Sequence, residues 1–197
     1  MRLILASNNK KKLKELREIL SGFGIEVLSQ SEAGIDLEVE EIGTTFAENA
    51  FLKADGACKV SGEPCIADDS GLVVEALGGQ PGVYSARYGG EGLNDTQRYE
   101  LLLKNLENEE HRDAKFVSSI ACVFPDGSVI RAEGECHGVI TREPHGEGGF
   151  GYDPVFYMES LGKTMAEVTP EEKNAVSHRG NALRKFREEL LKFMEGR

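Results

Sequence analysis

The chain of 197 residues has no tryptophan, and its four cysteines form no C-x-x-C pair. Cys58, Cys65, Cys122 and Cys136 therefore lack the spacing of a zinc site or a redox pair. They read as small buried hydrophobes in a reducing compartment. Basic residues are short as well: 23 Lys and Arg stand against 34 Asp and Glu, for a formal charge of −11. Coating nucleic acid or lying on an anionic membrane demands a net basic face, so neither partner is expected. No apolar run approaches membrane-spanning length, and Leu3-Ile4-Leu5-Ala6 is too short for a signal-peptide core. A cytoplasmic location is expected. No repeat, low-complexity tract or Pro/Gly/Ser linker divides the chain, so residues 1–197 are expected to fold as a single domain.

What is present is the balance of a globular protein, 40% hydrophobic and 29% charged. Arg2 to Ala6 reads as a buried strand, followed by a helix with Leu13, Leu16, Ile19 and Leu20 on one face and a stop at Gly22 and Gly24. Ile25 to Leu28 is expected as a second strand. Thr45 and Glu48 have capping-box spacing and should open a helix through Ala50, Ala54 and Ala57. Pro64 to Ala67 reads as a strand that ends in the turn-like Asp68-Asp69-Ser70-Gly71, and Asn94 or Asp95 caps a further helix. Lys115 to Phe124 and Ser128 to Ile140 form two long β-rich runs around Pro125-Asp126-Gly127, and a last helix is expected over about Ser177 to Met194. Early strand–helix alternation followed by a hairpin predicts an α/β fold, a mixed sheet with helices on both faces.

Five segments can carry chemistry. Ser7-Asn8-Asn9-Lys10-Lys11-Lys12 lies between the first strand and the first helix, where free N–H groups and ammonium groups suit phosphate, unless the lysines are simply a solvated cluster. Asp36, Glu38, Glu40 and Glu41 form an acidic run that either holds a hard divalent cation such as Mg²⁺ or is solvated. Asp68-Asp69-Ser70-Gly71 is either a polar turn or a pair of carboxylates serving a metal and a water-activating base. Gly148 to Pro154 is a Gly-rich loop in which Phe150 is a platform for a planar base or a core anchor. Lys173 to Arg179 gathers a cation, a hydroxyl, an imidazole and a guanidinium at the start of the last helix, or merely caps it.

Together these segments resemble the inosine triphosphate pyrophosphatase family. The resemblance runs from Leu3 to about Leu190 and rests on T-F-x-E-N-A (Thr45 to Ala50), A-D-D-S-G-L (Ala67 to Leu72), P-G-V-x-S-A-R-Y (Pro81 to Tyr88), G-F-G-Y-D-P (Gly149 to Pro154) and K-N-x-x-S-H-R (Lys173 to Arg179). Asn8 stands where the family's usual T-G-N-x-x-K start has its glycine. The resemblance implies two lobes around a long curved mixed sheet with the nucleotide in the cleft between them, and a homodimer. It implies Mg²⁺-dependent hydrolysis of non-standard purine nucleoside triphosphates (ITP, dITP, XTP) to monophosphate and pyrophosphate. Carried over residue by residue, Ser7, Asn8, Asn9, Lys10, Lys11 and Lys12 hold the triphosphate. Asp69 is the base with Asp68 beside it, and Asp69 and Glu40 bind the metal, with Glu38 and Glu41 as alternatives. Ser70 touches substrate, and Phe150, Gly151, Tyr152, Asp153, Lys173, His178 and Arg179 face the base.

Physical chemistry supports the transfer. Donors from Arg179 and the backbone suit the 6-carbonyl of hypoxanthine or xanthine, whereas adenine presents an amino donor there and leaves a donor of the site unpaired. Two other readings remain: a Maf-like nucleotide pyrophosphatase of different specificity, against which Ser177-His178-Arg179 speaks, and a nucleotide sensor without turnover, against which Asp68 and Asp69 speak.

Overall fold

The structure, a computed structural model, describes residues 1–196. In chain order its elements are β1 (Arg2–Leu5), α1 (Lys10–Leu20), β2 (Glu26–Ser29), α2 (Phe46–Ser61), β3 (Cys65–Val74), α3 (Asp95–Asn105), β4 (Asp113–Val123), β5 (Val129–Ile140), β6 (Phe156–Met158), β7 (Lys163–Thr164), α4 (Pro170–Val176) and α5 (His178–Glu195). One seven-stranded sheet has the order β2-β1-β3-β4-β5-β6-β7. β1 pairs in parallel with β2 and β3, while β6 pairs antiparallel with β5 and β7. The sheet is mixed and the fold is α/β, as the alternation of elements predicts. No helix among the described residues is long and apolar enough to cross a membrane.

The chain forms two compact units. The first holds Met1–Asp69, Ser118–Gly134 and the stretch from His178 onward; the second holds Ser70–Val117 and Glu135–Ser177. In the first unit the strands alternate strictly. Leu3, Leu5, Ile66, Ile120 and Cys122 face a core closed by Leu13, Leu16 and Leu20 of α1 and by Leu183, Phe186 and Leu190 of α5. Ile4, Cys65, Ala67, Ala121 and Val123 point the other way, onto Ala50, Ala54, Ala57 and Cys58 of α2. This is the two-residue period of a strand buried on both faces. The small side chains of α2 leave it close to the sheet. Its start is the expected capping box, with Thr45 accepting from the Glu48 N–H at 3.2 Å and Glu48 accepting from the Thr45 N–H at 3.1 Å.

The start of α5 packs directly against β5 at Gly134. A Cβ on Gly134 of β5 would stand 2.3 Å from both the His178 carbonyl oxygen and the Ala182 nitrogen. Only glycine permits that approach, which sets where His178 and Arg179 leave the helix start. The second unit has its own core, in which Leu72, Val74, Leu102, Leu106, Phe116, Ile140 and Phe156 are buried together. All four cysteines are buried and reduced, in line with their reading as core residues.

One boundary differs from the sequence expectation. The strand beginning near Pro64 does not stop at Asp68: β3 runs on through Asp68-Asp69-Ser70-Gly71 to Val74. The turn-like composition is overridden because the two carboxylates meet cations on the two faces of the sheet. That tertiary pairing holds an extended backbone where local propensity favours a bend.

Candidate active site

Strand periodicity decides the geometry. Asp68 shares the face of Ile66 and so points toward α1 and α5, whereas Asp69 shares the face of Ala67 and points toward α2. Both are only 7% exposed.

Around Asp68, Ser118 donates to Oδ1 at 2.5 Å, Arg179 Nε donates to Oδ2 at 3.1 Å, and Lys12 Nζ lies 3.0 Å from Oδ2. The Arg179 guanidinium also donates through Nη1 to Glu15 of α1. Two carboxylates therefore face two cations. Burial works to raise the Asp68 carboxyl, but Arg179, Lys12 and the Ser118 hydroxyl overcome it and hold the group well below the usual carboxylate range. Burial lowers Lys12, with Asp68 opposing.

Asp69 has poorer company. Its Oδ1 accepts from Lys53 Nζ of α2 at 2.8 Å, and the same ammonium donates to Glu41 Oε1 at 2.8 Å and to the Asp68 carbonyl at 3.3 Å. Asp69 Oδ2 is buried without a hydrogen-bond partner among the described residues. Here two carboxylates share one ammonium. Burial raises the Asp69 carboxyl, Lys53 opposes it and Glu41 adds to it, so the group stays above its ordinary value. Burial pulls Lys53 down, but Asp69 and Glu41 outweigh that and leave it raised.

The loop that carries Glu41 is latched to α2. Gly43 N–H donates to Asn49 Oδ1 at 2.8 Å, and Asn49 is fully buried. Thus the Asn of T-F-x-E-N-A places the acidic loop over Lys53. Glu40, expected to share the metal, is exposed, and its neighbour Glu41 is the carboxylate in the cluster. Among the described residues no group of three or more His, Cys, Asp or Glu side chains is arranged to hold a metal ion. A pair of carboxylates with an orphaned buried oxygen nevertheless suits Mg²⁺, which keeps waters and takes one or two carboxylates together with substrate phosphates.

At the start of α1, Asn9 caps the helix by accepting from the Lys11 and Lys12 N–H groups at 3.0 and 3.1 Å. Ser7 Oγ accepts from the Asn9 N–H at 3.1 Å, and Asn8 Oδ1 accepts from the Ser31 N–H at 3.2 Å. Lys10 and Lys11 are exposed, while Lys12 turns inward to Asp68. The basic run thus splits between two exposed lysines and a half-buried one that turns inward.

In the second unit, Phe150 N–H and Lys173 Nζ both donate to Asp153 Oδ2 at 2.9 Å, and the Lys173 ammonium sits 4.6 Å from the centre of the Phe150 ring. Gly149 has φ +71°, and a Cβ there would stand 1.9 Å from Asp153 Oδ2, so this turn requires glycine. Phe150 and Gly151 are half-buried, whereas Tyr152, Asp153, Lys173 and His178 are buried. Ser70 is half-buried on β3.

Residues 3–189 match the Ham1 family. The chain belongs to that family. It is 52% identical over 192 residues to a dITP/XTP pyrophosphatase of Desulforamulus reducens, covering 96% of each chain. It is 49% identical over 197 residues to one of Clostridium perfringens, covering 96% of this chain and 97% of the relative. Among solved structures it is similar to the Ham1 protein of Staphylococcus aureus, with TM-score 0.88, 43% identity and coverage of 100% and 99% of the two chains. It is likewise similar to a HAM1 protein from Coxiella burnetii, with TM-score 0.91, 42% identity and coverage of 98% and 99%. The family and the fold inferred from the five motifs are both borne out.

Four residues escaped the sequence reading. Glu15 carried a signal, since it lies three positions after Lys12 on one helix face. Lys53 carried one too, four positions after Asn49. Ser118 and Gly134 carried none, because a serine or glycine within a long β-run acquires meaning only from the element packed against it.

Proposed function

We propose that the protein hydrolyses ITP, dITP and XTP to the nucleoside monophosphate and pyrophosphate with Mg²⁺ as cofactor. The observation that carries the reading is the Asp69 cluster, a buried carboxylate with one oxygen unpartnered among the described residues that shares Lys53 with a second carboxylate. Similarity to dITP/XTP pyrophosphatases along nearly the whole chain supports the substrate class.

In this reading Ser7 to Lys12 receive the triphosphate at the start of α1 chiefly through the exposed Lys10 and Lys11 and the positive end of the helix dipole, the N–H groups of Asn9, Lys11 and Lys12 being taken by Ser7 and Asn9. Asp69 and Glu41, with Glu40 adjacent, would hold the metal, which would supply charge neutralisation to the phosphate oxygens and the departing pyrophosphate. Asp69, raised by burial, accepts at a carboxylate oxygen the proton of the water that attacks the α-phosphorus. Lys53 holds Asp69 and Glu41 in register before that charge arrives. Asp68 takes no proton: its pairing with Lys12 and Arg179 keeps it ionised and makes it a brace. Phe150 offers a ring to the purine, and Lys173 keeps that ring in place through Asp153. A cytoplasmic homodimer completes the proposal.

A pyrophosphate-release panel over ITP, dITP, XTP and the four common triphosphates, with and without Mg²⁺, tests it. Pyrophosphate from the first three, abolished by chelation, is the expected result. Orthophosphate as product, or a rate indifferent to chelation, would overturn the reading.

A further inference from the structure

The motif P-G-V-x-S-A-R-Y has no part in the chemistry above, yet its serine is one of the few buried polar residues of the second unit. Ser85 lies in a 3-10 turn, Gly82–Arg87. Its hydroxyl accepts from the Leu72 N–H of β3 at 2.9 Å and donates to the Gly82 carbonyl at 2.7 Å. Its own carbonyl accepts from the Tyr152 hydroxyl at 2.7 Å, a fully interior bond. Tyr152 is 4% exposed, and burial raises its phenol, so the hydroxyl stays a donor. A second tie acts one residue earlier in the loop, where the Gly151 N–H donates to Asp95 Oδ2 at 2.8 Å at the start of α3.

The loop carrying Phe150 contains glycines at φ +71° and +63°, positions 149 and 151, and has little conformational preference of its own. Its inner turn closes on Asp153, which accepts from the Phe150 N–H, and its far side is tied down by Tyr152 on Ser85 and Gly151 on Asp95. Ser85 in turn hangs from β3 two residues after Ser70. We propose that Ser85 and the Tyr152 hydroxyl form a positioning pair that fixes the Phe150 platform to β3, and so set the affinity of the site for the purine rather than the rate of the phosphorus chemistry. This rests on the proposed role of the Phe150 loop in holding the base. Tyr152 therefore acts through Ser85, with its ring in the core and its hydroxyl on a main-chain oxygen.

Tyr152→Phe removes one oxygen atom, keeps the buried ring and leaves the Ser85 carbonyl without its donor. Steady-state kinetics on ITP should show KM raised about 5- to 10-fold with kcat within about 2-fold of the parent, the size expected for one buried hydrogen bond. Inhibition by inorganic tripolyphosphate, which has no base, should be unchanged. A merely structural role would lower the melting temperature and the active fraction while leaving KM where it was. Ser85→Ala, which frees the turn from Leu72, should repeat the pattern, and Ser85→Thr should restore it. Phe150→Ala is measured alongside. If Phe150→Ala raises KM for ITP and Tyr152→Phe does not, the positioning pair is overturned and the base-loop reading stands. If neither raises it, that reading falls and the pair with it. A parallel rise in KM and in the tripolyphosphate inhibition constant would also overturn the proposal, since it would place the effect on the phosphates.

Discussion

On the α1–α5 face of β3, Asp68 and Glu15 meet Lys12 and Arg179, so that two carboxylates balance two cations with Ser118 as a further donor. On the α2 face, one residue along the same strand, Asp69 and Glu41 share Lys53 as their one ion-pair partner, with Lys12 acting on Asp69 only from a greater distance, and one buried oxygen of Asp69 has no partner among the described residues. The first region is saturated and the second is short of positive charge. Charge balance separates a carboxylate that braces the fold from one available to a proton or a metal ion. A buried anion left uncompensated is costly, and persists where a ligand supplies the missing charge. The alternation of side chains on a strand buried on both faces builds both environments from adjacent residues.

The comparison is broken most severely by Asp69→Asn. Turnover should fall by at least about 10²-fold, the scale of losing a general base, while the melting temperature barely moves because the amide is nearly isosteric. Near-parent turnover in the folded variant would remove Asp69 from the mechanism.

Next in size is Arg179→Ala, which takes the guanidinium from both Asp68 and Glu15 and leaves Asp68 with Lys12 and Ser118. Breaking such a buried pair costs about 3–5 kcal/mol, to be read from urea denaturation. The guanidinium is shared between two carboxylates, so kcat/KM for ITP and for ATP should fall together. A loss confined to ITP would instead return Arg179 to the base-reading role expected from its sequence motif. Gly134→Ala tests the same brace from behind. Its methyl group would overlap the backbone of α5, which cannot yield like a side chain, and overpacking of this kind costs about 1–3 kcal/mol. The smallest effect belongs to Thr45→Ala, which removes the cap of the helix bearing Lys53 and should cost about 1 kcal/mol in thermal or chemical unfolding. A larger cost would mean that the cap also holds the acidic loop.

Much of this was legible in the chain. The Thr45–Glu48 capping box, the short apolar run of β1 and the five motifs pointed to the fold and to most of the residues at the candidate site. What was hidden depended on distant partners. Asp68-Asp69-Ser70-Gly71 has the composition of a turn, and only cations from three different helices hold it extended. Glu15 and Lys53 look like the solvated charges of amphipathic helices until Arg179, 164 positions from Glu15, and Asp69, 16 from Lys53, are brought against them. That Glu41 rather than Glu40 lies against Lys53 was equally invisible, because it rests on how Asn49 latches the preceding loop.

The contrast between the two faces is tested most directly by removing the second carboxylate from each. Glu41→Gln and Glu15→Gln are compared with the parent for the Mg²⁺ concentration that half-saturates pyrophosphate release from ITP. Glu41→Gln should raise that concentration about tenfold or more, the usual scale for losing a metal-site carboxylate or its immediate support. Glu15→Gln should leave it unchanged while lowering the melting temperature. Equal shifts in both variants, or a shift in Glu15→Gln alone, would contradict the account.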